Sequence, residues 1–504
     1  MTTTRIIVDP AFVVGPVRRR TFGSFVEHLG RCVYTGIHEP GHPSADESGF
    51  RTDVLDLVRE LGVSTVRYPG GNFVSGYRWE DGVGPLDERP TRLDLAWHST
   101  EPNTFGVDEF MAWCRKGGVE PMMAVNLGTR GIAEALDILE YCNIAGGTAL
   151  SDERRANGGV DPYGVRMWCL GNEMDGPWQV GHKTAYEYGR LAAEVGRAMR
   201  MVDPGLELVA CGSSSTDMPT FGEWERIVLS ESYEVVDLVS AHAYYYEEDG
   251  DLGSFLASAV NMDSFIEGVV ATADAVRAAK KIDKRIHISF DEWNVWYQKR
   301  AESKVPEGDD WPVAPVLLED RYNVADAVVV GNLLISLLQH TDRVHAASLA
   351  QLVNVIAPIM TEPGGPAWRQ TTFHPFALTA RYAKGDVLTV PVQGETYETK
   401  KFGLVPLVDA VATHDADTGE VAVFVVNRST TGPTSVAVDL RAFPGAQVVE
   451  AVELSNPDHT WHASAADSTS VAPRPLAGVT LDGGRLEAVL PPVSWAMIRI
   501  ATRF

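Results

Sequence analysis

From about Thr21 to about Asn354 the chain repeats one pattern: a short apolar run, a polar or glycine-rich turn, then a longer amphipathic stretch. A short continuous apolar run reads as a buried strand, and a stretch with apolar residues every three to four positions reads as a helix packed on it. Eight apolar runs can be counted: TFGSFVEHLG (21–30), VSTVRYPGG (63–71), EPMMAVNLG (120–128), VRMWCLGNE (165–173), LELVACGSS (206–214), VDLVSAHAYYY (236–246), RIHISFDEWN (285–294) and AASLAQLVN (346–354). Seven helical segments fit between them, most clearly Val107 to Lys116 and Tyr186 to Met201. Eight strands alternating with helices predict an α/β fold, a (β/α)8 TIM barrel, over residues 15–382.

After Tyr382 the pattern changes to short alternating strands with turns and no long helix, as in VAVFVVNRST, TSVAVDLRAF, AQVVEAVELS and RLEAVLPPVSWAMIRIA. Residues 383–504 are therefore expected to form a C-terminal, jelly-roll-like β-sandwich, joined by an N-terminal strand within 1–14. Two insertions rich in proline, glycine and charge, His38 to Phe50 and Lys299 to Asp320, follow barrel strands and so belong to the catalytic face. The longest apolar run, Val324 to Leu338, is interrupted by Asp326 and Asn332 and is too short for a bilayer, so it predicts a buried helix.

Charge narrows the partners. The 504 residues carry 68 acidic against 43 basic side chains, a formal charge of −25, which repels phosphate backbones and anionic lipid. No nucleic acid and no membrane partner is expected, and a neutral substrate fits better. The five cysteines, Cys32, Cys114, Cys142, Cys169 and Cys211, form no CxxC pair and have no histidine at metal-ligand spacing, which points to buried reduced thiols. The N-terminus has no basic start followed by an apolar run and a small-residue cleavage site, so a cytoplasmic location is expected.

Polar residues at the C-terminal ends of barrel strands face the site, and here they are concentrated. Strand 1 delivers Glu27 and His28; strand 2, Arg67, Gly70, Gly71 and Asn72; strand 3, Asn126; strand 4, Asn172 and Glu173. Strand 6 delivers His242, Tyr244 and Tyr245; strand 7, Asp291, Glu292, Trp293 and Asn294; strand 8, Gln351 and Asn354. Left unpaired, such groups are costly to bury, so seven strands ending this way argue for a site. Glu173 and Glu292 suit retaining glycoside hydrolysis, which needs one carboxyl to protonate the leaving oxygen and a second, about 5 Å away, to attack the anomeric carbon. Tyr244 is placed to keep Glu292 ionised, and an apolar setting near Trp178 would keep Glu173 protonated. Either glutamate taken alone also fits a structural salt bridge, and Arg67 reads as a guanidinium behind the two carboxylates.

WCLGNEMDGPWQVGH (168–182) with HISFDEWNVWY (287–297) resembles glycoside hydrolase family 51, the α-L-arabinofuranosidases, as do FGSFVEHLGRCVYTGI (22–37) and VRYPGGNFVSGYRWEDGVGP (66–85). The resemblance spans nearly the whole chain. It implies exo-acting, retaining removal of terminal non-reducing α-L-arabinofuranosyl units from arabino-oligosaccharides, arabinan or arabinoxylan fragments, with Glu173 as acid/base and Glu292 as nucleophile. It further implies that Asn172 binds the sugar 2-hydroxyl and that Glu27, Asn72 and Gln351 bind other hydroxyls. Tyr244 becomes the partner of the nucleophile, Trp97 an aromatic wall, His242 a neighbour of the acid/base, and Trp178 and Trp296 the lining of an outer subsite. His242 also fits a satisfied core histidine, Asn72 the end of a Gly-Gly turn, and Trp97 and Trp296 ordinary core aromatics. No metal or other cofactor is implied, and the family suggests a homo-oligomer, a hexamer.

Three alternatives stay open at this point: an endoglucanase, a β-xylosidase, and a barrel that binds sugar without cleaving it. A metal hydrolase would need a His-x-His pair on a strand end, and a dinucleotide enzyme a GxGxxG after a strand; neither occurs on these strands.

Overall fold

The computed structural model describes residues 3–300 and 303–502. Its centre is a closed barrel of eight parallel strands: Gly23–Phe25, Thr65–Tyr68, Glu120–Ala124, Met167–Leu170, Glu207–Ala210, Leu238–Tyr245, His287–Val295 and Val344–Leu349, here called barrel strands one to eight. Each lies within or against one of the eight apolar runs and pairs with its sequence neighbours, and the eighth closes on the first through Ser348 opposite Gly23. The first run is regular over three residues only; the rest of it, Val26 to Gly30, leaves the barrel as an irregular buried loop.

A helix follows every strand, from Thr52–Leu61 after the first to Phe373–Tyr382 after the eighth. Local sequence sets their ends. The helix Thr52–Leu61 stops at Gly62, whose φ of 81° is a left-handed conformation that favours glycine. The helix Ala185–Val202 starts at a capping box in which Thr184 and Glu187 satisfy each other's free backbone N–H groups. Inside the barrel, strands supply small and medium residues such as Met122, Ala124, Met167, Val209, Leu238 and Ala346, which fill the interior.

The β-sandwich consists of a seven-stranded and a five-stranded sheet whose facing sides share a core of Val421, Val423, Ile498, Val438 and Leu486 among others. Both sheets take a strand from the start of the chain: Val13–Pro16 pairs with Asp386–Leu388, and Thr4–Ile7 runs parallel to Thr434–Asp439. Helix Val324–Gln339 is buried from Val324 through Leu338, because it packs between the barrel and the seven-stranded sheet. Apart from Asp326, Asn332 and Ser336, whose side chains are hydrogen-bonded, this buried stretch is apolar all round, as that position requires. No described helix is long and apolar enough to cross a membrane, and all five cysteines are free and buried.

Candidate active site

The register of barrel strand seven decides what reaches the mouth. Ser240 lies opposite Ser289 and His242 opposite Glu292, while on the other side Phe290 lies opposite Ala347 and Trp293 opposite Leu349. Strand seven therefore carries one extra residue against both neighbours, a β-bulge at Asp291–Glu292. Successive strand residues normally point to opposite faces, and the bulge lets two consecutive acids both approach the buried Arg67.

Across the barrel, strand four ends at Leu170, and the chain turns through Gly171 with φ 95° to Glu173, itself held at φ 44°. A non-glycine residue in that region is strained, and such strain recurs at functional sites. His242 links the two glutamates: its Nδ1 lies 2.9 Å from Glu173 Oε1 and 3.6 Å from Glu292 Oε2. Glu292 Oε2 accepts the Tyr244 hydroxyl at 2.7 Å, and Oε1 accepts Arg67 at 2.9 Å. The other amino group of Arg67 donates to Asn172 Oδ1 at 2.5 Å, and Asn172 reaches Asn72 at 3.3 Å. Burial alone would raise the Glu292 carboxyl, but the charges of His242 and Arg67 and the Tyr244 hydroxyl hold it below its ordinary range. For His242 the balance is reversed: burial disfavours its charge, and the two carboxylates overcome this and raise it.

Glu27 forms a second cluster beside the first. Its Oε1 accepts the Phe73 backbone N–H and the Trp97 indole N–H, each at 2.9 Å, and its Oε2 accepts the Gln351 amide at 3.0 Å. Burial pushes this carboxyl up to about 8 despite the Phe73 and Trp97 donors. The PGG motif has a steric reason: a Cβ on Gly70 or Gly71 would come within 2.6 Å of the Glu27 side chain. Trp296 sets its ring edge against Tyr244, with centroids 5.1 Å apart.

The ten sequence-selected site residues fall into these two neighbouring clusters, which adjoin where Asn72 of the first precedes Phe73 of the second. Trp178 differs from expectation: it is half exposed, and rather than giving Glu173 an apolar wall it donates its indole N–H to Glu173 Oε2 at 2.7 Å. Asn126, Asn294 and Asn354 direct their amides to backbone groups and so brace loops. Two contributors went unremarked in the sequence. Glu101 receives His28 at 2.9 Å and also Tyr34, fixing the loop after Glu27. Asp94 accepts the Ala96 and Trp97 backbone N–H groups. Neither lies at a strand end of the barrel, so position along the pattern could not single them out.

Glu173, His242 and Glu292 offer ligand atoms that all lie within 4.8 Å of one another. Their carboxylate oxygens already accept from Trp178, Tyr244 and Arg67, and the Arg67 guanidinium beside them opposes a divalent cation. The set suits sharing protons between two carboxyls.

A closed parallel barrel that brings two buried carboxyls to one imidazole belongs with the barrel glycoside hydrolases. Comparison with known proteins narrows the class. Residues 57–280 match the family model of the α-L-arabinofuranosidase 1 domain and 291–494 that of the α-L-arabinofuranosidase C-terminal domain. The chain is 60% identical to an intracellular exo-α-(1→5)-L-arabinofuranosidase of Streptomyces lividans, over 99% of this chain and 76% of that one. It is 59% identical to an exo-α-(1→6)-L-arabinofuranosidase of Bifidobacterium longum, over 99% and 97%. The structure of a family 51 α-L-arabinofuranosidase from Bifidobacterium longum superposes with a TM-score of 0.95 at 50% identity, covering 99% of each chain. The chain belongs to glycoside hydrolase family 51, the α-L-arabinofuranosidase family.

Proposed function

We propose that this protein is an exo-acting α-L-arabinofuranosidase that works with retention, with Glu292 as nucleophile and Glu173 as acid/base. The observation that carries the reading is the pair of carboxyls linked through His242 Nδ1, with oxygens within 4.8 Å of each other. Retaining enzymes keep their carboxyls about 5–5.5 Å apart, whereas inverting ones need room for a water between them. The relatives, named as exo-acting (1→5)- and (1→6)-L-arabinofuranosidases, support the choice of sugar.

In the first step Glu292, ionised through Arg67, His242 and Tyr244, attacks C1 of the arabinofuranosyl unit. Glu173 gives its proton to the departing oxygen, leaving a glycosyl ester on Glu292. In the second step Glu173 takes a proton from water, which attacks C1 and releases the sugar with its anomeric configuration kept. Asn172, oriented by Arg67, binds the 2-hydroxyl, where the contact strengthens as positive charge develops on the ring. Glu27, Asn72 and Gln351 bind further hydroxyls, Trp97 walls the sugar, and Trp296 with Trp178 meets the leaving group.

The substrates in this reading are arabino-oligosaccharides and fragments of arabinan or arabinoxylan, met inside the cell as the names of several relatives state for those proteins. The catalytic unit is the barrel, 15–382, supported by the sandwich of 383–504, which takes in two N-terminal strands, Thr4–Ile7 and Val13–Pro16, where the sequence predicts one within 1–14. Light scattering should find a homo-oligomer, six subunits in the form the family suggests.

The test is hydrolysis of 4-nitrophenyl α-L-arabinofuranoside beside the β-D-xyloside and soluble cellulose. The arabinoside should be cleaved preferentially, with the first product seen by NMR keeping its anomeric configuration. Glu292→Ala and Glu173→Ala should each lose about a thousandfold or more in kcat on natural arabinosides, with azide partly restoring one of them. Preference for cellulose would overturn the specificity, and full activity in either variant the mechanism.

A further inference from the structure

The mechanism above leaves one buried acid at the mouth without a part. Asp291 is 1% exposed and sits on the bulge beside Glu292. A lone carboxylate buried this deeply is costly unless it is paired or hydrogen-bonded. Its partners are few and specific. Oδ1 accepts the Ser289 hydroxyl, and Oδ2 accepts the Cys169 thiol at 3.6 Å and faces Arg67 Nε at 4.0 Å.

Arg67, also 1% exposed, is thus divided among three groups: one amino nitrogen on Glu292, the other on Asn172, and an Nε with no hydrogen-bond partner turned toward Asp291. We propose that Asp291 is a positioning residue: fastened by Ser289 and Cys169, it holds Arg67 from below and withdraws part of that positive charge from Glu292. This rests on Glu292 as the nucleophile. Without Asp291, the whole guanidinium charge would bear on Glu292, stabilising its ionised form and making it a poorer base and nucleophile. The bulge is the structural cost of this arrangement, since a regular strand would turn Asp291 and Glu292 to opposite faces.

The groups that face this pair are Arg67 from strand two, Cys169 from strand four, Glu173 just after strand four, Cys211 after strand five, His242 and Tyr244 from strand six, Ser289 on strand seven, and Glu27 after strand one. Burial pushes Asp291 upward, and Arg67, His242 and Ser289 oppose that push.

The experiment is the pH profile of kcat/KM on 4-nitrophenyl α-L-arabinofuranoside for the full chain and Asp291→Asn, with thermal melts of both. The acid limb should move to lower pH by roughly one unit, and the plateau should fall about tenfold. Ser289→Ala, which removes one donor and keeps the carboxylate, should move the limb the same way by less, and serves if Asp291→Asn does not fold. A limb unmoved in both, whatever happens to the melting temperature, reduces Asp291 to a structural role and overturns the proposal. Glu292→Ala run alongside separates the two readings: if it stays active the nucleophile is wrong, and if it is inactive while the limb is unmoved only Asp291 is wrong.

Discussion

The two rims of the barrel are made by the same eight strands, and both collect arginines, histidines and carboxylates. At the C-terminal rim these groups are buried and each depends on the next: Arg67 on Glu292 and Asn172, His242 on Glu173 and Glu292, Tyr244 on Glu292. At the N-terminal rim the groups sit nearer water. Arg20 donates to Glu120 at 2.8 Å and to Glu207 at 2.6 Å, with side chains 22%, 34% and 36% exposed. Beside it His287 and His345, at the starts of strands seven and eight, stack with ring centroids 3.5 Å apart. The same residue types therefore do different things at the two ends. Water screens the lower pairs, so each is worth little and can be lost singly, whereas the upper charges hold only as a set.

Removing one arginine from each rim should expose this difference most strongly. Arg67→Ala leaves Glu292 buried without its main hydrogen-bonded cation and Asn172 without its donor, so we expect a loss of about 3–5 kcal/mol in stability. Activity should fall with it, because the nucleophile and the ligand of the 2-hydroxyl both lose their orientation. Arg20→Ala breaks two part-exposed pairs and should cost about 1 kcal/mol with kcat/KM unchanged. Denaturant unfolding and kinetics on both variants decide it, and equal destabilisation would erase the contrast between the rims.

A smaller effect isolates one hydrogen bond. The Tyr244 hydroxyl helps to hold Glu292 ionised, so Tyr244→Phe should raise the pH at which Glu292 takes its proton. The acid limb of kcat/KM then moves upward by about one unit, in the direction opposite to that expected for Asp291→Asn. Arg20→Ala, acting at the far rim, should leave the limb in place. A Tyr244→Phe profile that overlays the wild type would mean that Arg67 and His242 alone set the charge of Glu292.

The contrast also explains what was legible in the sequence. All eight strands and the helices between them could be placed because a parallel barrel needs continuous apolar runs, and because the polar residue ending each run marks the catalytic rim. Glu27, Asn172, Glu173, His242, Tyr244, Glu292 and Gln351 all come from such positions. What escaped was geometry that no periodicity encodes. The bulge at Asp291–Glu292 is one extra residue in a run that reads the same with or without it. Glu101 and Asp94 lie on the hairpin strands Arg92–Asp94 and Ser99–Glu101 outside the barrel, and they matter because that hairpin folds back onto Glu27 and His28. The orientation of the Trp178 indole was equally out of reach, since an exposed tryptophan near an acid can wall it or bond to it.

The stacked histidines give the smallest predicted effect and the one in which the rims oppose each other. Burial and the nearby Arg343 and Arg18 push His287 down to about 4, and burial, His287 and Arg18 push His345 to about 3, from an ordinary 6.5. Both are neutral in the folded protein where the unfolded chain already takes up protons. Their contribution is present above pH 6.5 and is lost as pH falls from there toward 3. His242 has the reverse sign: raised above 6.5 by its carboxylates, it contributes fully below 6.5 and loses that contribution as pH rises through its folded value. The melting temperature of His287→Gln/His345→Gln should accordingly fall less than that of the wild type between pH 6.5 and 4, by an amount kept small by solvent screening. His242→Gln should flatten the curve above pH 6.5. If the double variant instead loses stability in parallel with the wild type, the histidine stack contributes packing without charge.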